Sequence, residues 1–263
     1  GMLNPMTGPI AVYAPPFTVA AQMAIDDLNA MGGNFELVEA DSGCDGTVAA
    51  TAAQALVDAG VVGVAGAACS GASMGANAVL SAAGVVQVSY ASTNPGLSDS
   101  AAYPHFFRVV PSDAIQGPAL SDVVTAGGHS NIALLYMTND YGSGLADSFD
   151  AAWTDAGNTL CQKVGYEDTT TDFTAQVQAV MNDGCDSVML ISYAADGAAI
   201  VEELSTQGFA GAIYGGDGVA EEGLCASMAD NSICDGIVAT KPASATPNER
   251  SMAFADICDE IPD

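Results

Sequence analysis

Fixed positive charge is almost absent from this 263-residue chain: Lys163, Lys241, Arg108 and Arg250 face 32 acidic residues, for a formal net charge of −28. Such a surface repels phosphate backbones, which excludes nucleic acid as a partner. The acidic coat suits salty surroundings or simply keeps the chain in solution. Histidine is reduced to His105 and His129, and no pair of cysteines has C-x-x-C or other tight metal-ligand spacing. A zinc site is therefore not expected. Gly142-Ser143-Gly144 lacks the third glycine of a dinucleotide fingerprint, and no G-x-x-x-x-G-K loop occurs, so no cofactor is expected. No apolar run reaches the roughly 18–20 residues that span a bilayer. A basic, apolar leader is also missing from the first residues, which read as the start of a mature or trimmed chain. What the chain has in quantity is apolar matter: 49% of residues are hydrophobic and only 14% charged. That composition buries a core and does not signal disorder.

The pattern alternates between apolar strands and helices. Helix 17–31 stops at Gly32-Gly33 and is followed by strand 35–40, an Ala-rich helix 47–59, strand 61–65, helix 71–83, strand 85–90 and strand 106–110. After Pro111 the alternation restarts: helix 114–126, strand 132–137, helix 144–156, strand 159–164, helix 173–182, strand 187–192, helix 197–207 and strand 212–214. A short helix near 220–228, a strand 236–239 and a helix 248–260 complete it. Repeated strand–helix units predict parallel sheets covered by helices on both faces, with right-handed crossovers. Two segments read as boundaries: Pro111 to Pro118, and the small-residue stretch Lys241-Pro242-Ala243-Ser244-Ala245-Thr246-Pro247. The expected division is an N-terminal lobe of residues 1–112 plus 247–263, a C-terminal lobe of 113–241, and a hinge linker at 242–246. This is an α/β chain of two Rossmann-like lobes joined by a hinge around a cleft.

Seven cysteines at wide spacings in loops fit an oxidising compartment. Cys44 and Cys69 lie just beyond the ends of successive strands and are paired on that ground. Cys225 and Cys234 flank a small loop. Cys161 and Cys185 open consecutive strands, which allows a bridge. Cys258 is left over.

Two strand tips carry the chemistry. Ala67-Ala68-Cys69-Ser70-Gly71-Ala72-Ser73 and Val88-Ser89-Tyr90-Ala91-Ser92-Thr93-Asn94-Pro95 are apolar strands running into small hydroxyl residues, and the first then opens a helix. Hydroxyls and free backbone N–H groups at the carboxyl ends of neighbouring strands suit a small anion such as a carboxylate. Ser70 alone would equally serve as a helix cap, Thr93 as a turn residue, and Asp217 between Gly216 and Gly218 as a turn aspartate. Tyr141 and Tyr193 have a packing alternative, and Arg108 reads as bracing a carboxylate internally.

Pro5-Met6-Thr7-Gly8, Ile25-Asp26-Asp27-Leu28-Asn29-Ala30, the Cys69-Ser70 turn, Ala91 to Pro95, Phe107 to Asp113, Asn139 to Leu145 and Gly216-Asp217-Gly218 occur in a familiar order. Together they resemble type I periplasmic binding proteins, in particular the leucine/isoleucine/valine-binding branch that feeds ABC importers. The resemblance implies that Ser70 and Thr93 hold a ligand carboxylate through hydroxyl and amide, with Ser92 beside them. It implies that the Ala91 carbonyl and the Asp217 carboxylate meet the ligand ammonium, that Tyr141 and Tyr193 close over the ligand, and that Tyr13 touches its side chain. A Cys44–Cys69 bridge bracing the Ser70 turn also matches the branch. The resemblance further implies a periplasmic, monomeric, non-enzymatic protein with an amino acid as ligand and a membrane permease as partner. Set against it, the chain starts almost at Pro5, so the family's first strand is expected to be missing or barely present. It also stops at Asp263, inside the expected return to the first lobe.

Rival readings are the same fold binding an aromatic or organic acid, a sensory ligand-binding domain, and an α/β hydrolase. The last is weakened at Ala68-Cys69-Ser70-Gly71-Ala72, where alanines stand in the flanking positions that G-x-S-x-G fills with glycine.

Overall fold

The computed structural model describes residues 1–243 and Met252. The leftover Cys258, the 248–260 helix and most of the 242–246 linker lie outside those residues. Two compact units emerge, one made of Gly1–Ser92 and Leu97–Val110, the other of Thr93–Gly96 and Pro111–Pro242. Each is built on its own five-stranded, all-parallel sheet.

In the first unit the strands are β1 (Met2–Asn4), β2 (Glu39–Asp41), β3 (Gly63–Ala65), β4 (Val86–Ser89) and β5 (Phe106–Arg108), in the order β2-β1-β3-β4-β5. The helices are α1 (Ala14–Ala30), α2 (Gly46–Asp58) and α3 (Ser70–Ala82). The first strand, expected to be missing or barely present, is present as three residues, Met2–Asn4. β1 sits inside the sheet between β2 and β3, Met2 and Leu3 are buried, and the Gly1 ammonium donates to the Gly63 carbonyl at 2.7 Å. Three residues are too few to show a period of two, so only their neighbours identify them as a strand. β2 is shorter and later than expected. Asn29, near the end of α1, accepts from the Phe35 N–H at 2.7 Å and donates to its carbonyl at 3.0 Å, holding Phe35 against the helix terminus and out of the sheet. Asp45 caps α2 by accepting from the N–H groups of Thr47 and Val48.

The second unit contains β6 (Ile132–Met137), β7 (Gln162–Tyr166), β8 (Ser187–Ile191), β9 (Ala212–Gly215) and β10 (Val238–Ala239), in the order β10-β9-β8-β6-β7. Its helices are α4 (Asp113–Ala126), α5 (Asp140–Asp155), α6 (Thr174–Asn182), α7 (Ala194–Thr206) and the short α8 (Glu222–Ala226). β6 and β8 are almost wholly buried and nearly continuous in apolar residues, as strands covered on both faces must be. β7 forms an edge and alternates, burying Tyr166 while Lys163 reaches Asp147 at 3.1 Å and Asp150 at 2.9 Å on α5. Phe149 and Trp153, fully buried on α5, stack at 5.8 Å.

α5 starts four residues before the expected Gly144. Asn139 caps it, accepting from the Gly142 N–H at 2.9 Å. A Cβ at Gly142 would stand 2.0 Å from the Met137 carbonyl, so glycine here permits a close strand-to-helix turn and does not mark a loop. The Thr93–Gly96 segment, carried with the first lobe in the sequence reading, is tied to the second unit instead. The Asp113 N–H donates to the Thr93 carbonyl at 2.9 Å, and the Asn94 amide donates to the Asp140 carbonyl. Disulfides join Cys44 to Cys69, Cys161 to Cys185 and Cys225 to Cys234.

Candidate functional site

In a parallel α/β sheet the loops at the carboxyl ends of the strands carry ligand chemistry, because helix N-termini and strand tips converge there. Each unit has such a rim.

On the first unit, β3 runs into a buried Ala67-Ala68-Cys69 turn and Ser70 then opens α3. Cys69, not Ser70, holds the cap position, and its side chain makes no capping bond. Ser70 is thus the first helical residue, buried, within the turn whose N–H groups lack intrahelical partners. The bridge to Cys44, with 5.2 Å between Cα atoms, pins this turn to the loop after β2.

The tip of β4 is braced by hydroxyls. Ser89 accepts from the N–H groups of Ala91 at 3.2 Å and Ser92 at 2.9 Å, and donates to the Ala67 carbonyl at 2.6 Å. Ser92 Oγ lies 2.9 Å from the Ala68 carbonyl and 2.8 Å from Ser73 Oγ. The Ser92 hydroxyl is therefore spent inside the unit, holding two strand tips together, while Ala91 stays in the turn between Ser89 and Ser92. Ser73 and Ser89 belong to this brace and were not singled out as functional residues. Their signal was the Ser-x-x-Ser spacing of 89 and 92, which favours local side-chain-to-backbone bonds. Arg108, from β5, donates to the Ser92 carbonyl at 3.2 Å. Tyr13 occupies a 3-10 turn at Ala11–Tyr13 and stacks on Phe17 at 6.2 Å; Phe17 in turn meets Tyr90 at 4.8 Å.

The rim of the second unit brings together Asp217, Tyr141 and Tyr193, along with two residues that sequence reasoning passed over, Gln116 and Asn139. The Tyr141 hydroxyl donates to Asp217 Oδ1 at 2.8 Å and accepts from the Gly218 N–H at 3.0 Å. The Tyr141 and Tyr193 rings are 5.3 Å apart and within 9° of parallel. Both tyrosines are buried. Tyr193 holds the N-cap position of α7 in an extended conformation, without a side-chain capping bond, and Asn139 caps α5. A Cβ at Gly218 would stand 2.3 Å from the Ser192 carbonyl and 3.0 Å from the Tyr141 hydroxyl, so only glycine lets the Asp217 turn close onto that ring.

Burial pushes the Asp217 carboxyl above the ordinary aspartate range, against the hydrogen bond from the Tyr141 hydroxyl that favours the anion. Burial first, and then the charges of Asp217 and Asp113, push the Tyr141 phenol up as well. Among the described residues no cation pairs with Asp217. Lys163 is engaged with Asp147 and Asp150 at the edge strand. The arrangement is an anion set in an aromatic clamp, able to accept a positively charged group from outside the chain. Thr93 is buried too, and its Oγ1 has no hydrogen-bond partner. No group of three or more metal-ligating side chains occurs among the described residues.

Paired all-parallel α/β units with such strand-tip rims define the type I periplasmic binding fold. The profile described as periplasmic binding protein matches residues 1–260, and the chain belongs to that family. It is similar to the leucine-, isoleucine-, valine-, threonine-, and alanine-binding protein of Pseudomonas aeruginosa, with 27% identity over 260 residues, covering 97% of this chain and 69% of that protein. Among solved structures it resembles the leucine binding protein LivK of Thermotoga maritima, with a TM-score of 0.88 at 25% identity, covering 98% of this chain and 74% of the other. The branched-chain amino acid transporter substrate binding protein LivJ of Streptococcus pneumoniae, in complex with isoleucine, matches with a TM-score of 0.81 at 25% identity over 97% of this chain and 74% of its own.

Proposed function

We propose that this chain is the extracytoplasmic solute-binding component of an ABC importer, and that it captures an L-amino acid with an aliphatic side chain and releases it unchanged to a membrane permease. The observation that carries this reading is the recessed Asp217, clamped by Tyr141 and lacking a cationic partner among the described residues. With no cation beside it among the described residues, that carboxylate is suited to a ligand ammonium. In this reading Ser70 and Thr93 meet the carboxylate, the Ala91 carbonyl supports the ammonium, and Tyr141, Tyr193 and Tyr13 enclose the side chain, with Ser92 holding the turn that presents Ala91 and Thr93. The amino-acid ligands named for the P. aeruginosa relative and for LivJ support the choice. The three disulfides support an oxidising compartment.

Calorimetric titration and thermal shift with L-leucine, L-isoleucine, L-valine and 4-hydroxybenzoate test the proposal. One of the amino acids should raise the apparent stability by mass action, and Asp217→Asn should remove that effect. Binding of 4-hydroxybenzoate alone, unaffected by Asp217→Asn, would replace the amino acid with a carboxylate that lacks an ammonium. Hydrolysis of an ester or amide, lost in Ser70→Ala, would overturn the non-enzymatic reading.

A further inference from the structure

The stacked rings of Tyr141 and Tyr193 stand on two different turns, one after β6 and one after β8. A further tyrosine, Tyr166, is bonded to both turns. It ends the edge strand β7 and is buried. Its carbonyl accepts from the Thr138 N–H at 2.8 Å and from Thr138 Oγ1 at 3.1 Å. Thr138 precedes Asn139, the cap of α5, and Tyr141 follows two residues after that cap. At its other end, the Tyr166 hydroxyl lies 2.6 Å from the Oγ of buried Ser192, the residue before Tyr193. The strand order β8-β6-β7 puts β6 between the two, so this side chain spans two strand spacings, about 9–10 Å. Only a long side chain with a polar tip makes that tie. The proton count fixes its direction. A serine hydroxyl has one proton, and Ser192 Oγ donates it to the Tyr193 carbonyl at 3.0 Å. Ser192 therefore accepts from Tyr166. The Tyr193 carbonyl also accepts from the Gly197 N–H at 2.8 Å, the bond that opens α7. The Ser192 carbonyl is the group on which the Gly218 turn closes.

We propose that Tyr166 is a positioning residue for the second-unit rim: through the relay from its O–H to Ser192 Oγ–H to the Tyr193 carbonyl, it sets where the Tyr193 ring stands against Tyr141. The inference rests on the reading of Tyr141 and Tyr193 as walls that enclose the ligand, and adds what holds the two walls together. Tyr166 acts unequally on them. The turn carrying Tyr141 is tied to the Tyr166 backbone, a tie that any residue at this position keeps. The turn carrying Tyr193 is tied to the phenol hydroxyl alone. Removing that hydroxyl leaves the ring in its edge-to-face contact with Phe173, 5.1 Å between centroids at 86°. It frees the Ser192 hydroxyl from the one donor that crosses β6. Tyr166→Phe therefore isolates the relay from the packing.

The test is tyrosine-ring NMR of the ligand-free protein, with the Tyr193 signal identified by its loss in Tyr193→Phe. Tyr166→Phe and Ser192→Ala should each shift the Tyr193 ring signal, which senses the facing Tyr141 ring. The double variant should shift it no further than Ser192→Ala alone, because Tyr166 acts only through Ser192. A Tyr193 signal that ignores Tyr166→Phe, or shifts that simply add in the double variant, would overturn the proposal. In parallel, calorimetric titration should show L-leucine binding Tyr166→Phe about fivefold more weakly, the loss expected for one neutral hydrogen bond. An affinity equal to that of the wild type would also overturn it. If the wild-type chain ignores amino acids while the ring signal follows this pattern, the functional reading fails and the positioning of Tyr193 stands. If leucine binding depends on Asp217 but the ring signal ignores both substitutions, the positioning role alone fails.

Discussion

Tyr141 donates its hydroxyl to Asp217 Oδ1 at 2.8 Å across 76 residues of sequence, and the Gly218 N–H closes the arrangement by donating to the same hydroxyl at 3.0 Å. A phenol at the start of one helix is thereby locked to the turn after another strand. The acid it holds has been taken partly out of water, with no cationic partner among the described residues. Tyr141→Phe should keep the fold, because the ring and its stack on Tyr193 survive. It should weaken binding of an ammonium-bearing ligand by roughly 10- to 100-fold, the range for losing a hydrogen bond to a charged group. Calorimetric titration with L-leucine checks this.

Asp217 should set the pH response. Its folded carboxyl titrates above the ordinary value of 3.8, so the folded chain holds this proton more tightly than the unfolded one. The stabilisation from that proton is present below pH 3.8 and is lost as pH rises through the folded value. Ligand binding should follow the opposite course, growing over the same window as the carboxylate ionises. Asp217→Asn should match the wild type in Tm at the acid end and exceed it near neutrality by roughly 2–4 °C, the change that about 1 kcal/mol makes in a chain of this size. Thermal melts of both proteins across pH measure the gap.

Phe149 and Trp153 anchor the second unit through a fully buried stack on α5. Phe149→Ala should cost about 3–5 kcal/mol, the usual loss when a buried aromatic leaves a cavity. Trp153 is the only tryptophan in the chain, so its fluorescence in a urea titration reports this unit directly.

The disulfides should differ in worth with the length of chain they close. Cys161 and Cys185 are 24 residues apart, Cys225 and Cys234 only 9. Replacing the first pair by alanine should cost about 3.5 kcal/mol and the second roughly 2.7 kcal/mol on the chain-entropy account. Denaturant midpoints of the two double variants give the order, and the reverse order would point to native contacts as the dominant contribution.

Long central strands were legible because burial on both faces forces an apolar run: Ile132–Met137 matches the strand read from sequence residue for residue. β1 was not, since three residues carry no period and become a strand only when β2 and β3 flank them. The start of α5 was read late, at Gly144 instead of Asp140, for a related reason. Glycine marks both a loop and a tight strand-to-helix approach, and only the Met137 carbonyl beneath Gly142 distinguishes them. Asp217, Tyr141 and Tyr193 were named through resemblance, whereas Gln116 carried no local signal because its partner Thr240 lies 124 residues along the chain.

Sequence by itself determined the class of this protein: strand–helix alternation demands parallel sheets, and scarce positive charge removes nucleic acid from consideration. Tertiary structure decided which polar groups are spent within the fold and which remain for a ligand. Ser92, though it stands beside Thr93 in sequence, turns its hydroxyl into a buried brace, while Asp217 is gripped by Tyr141 and has no cationic partner among the described residues. The physical reason is that a hydrogen bond depends on distance in space, and the partners that commit or release these groups lie tens of residues away.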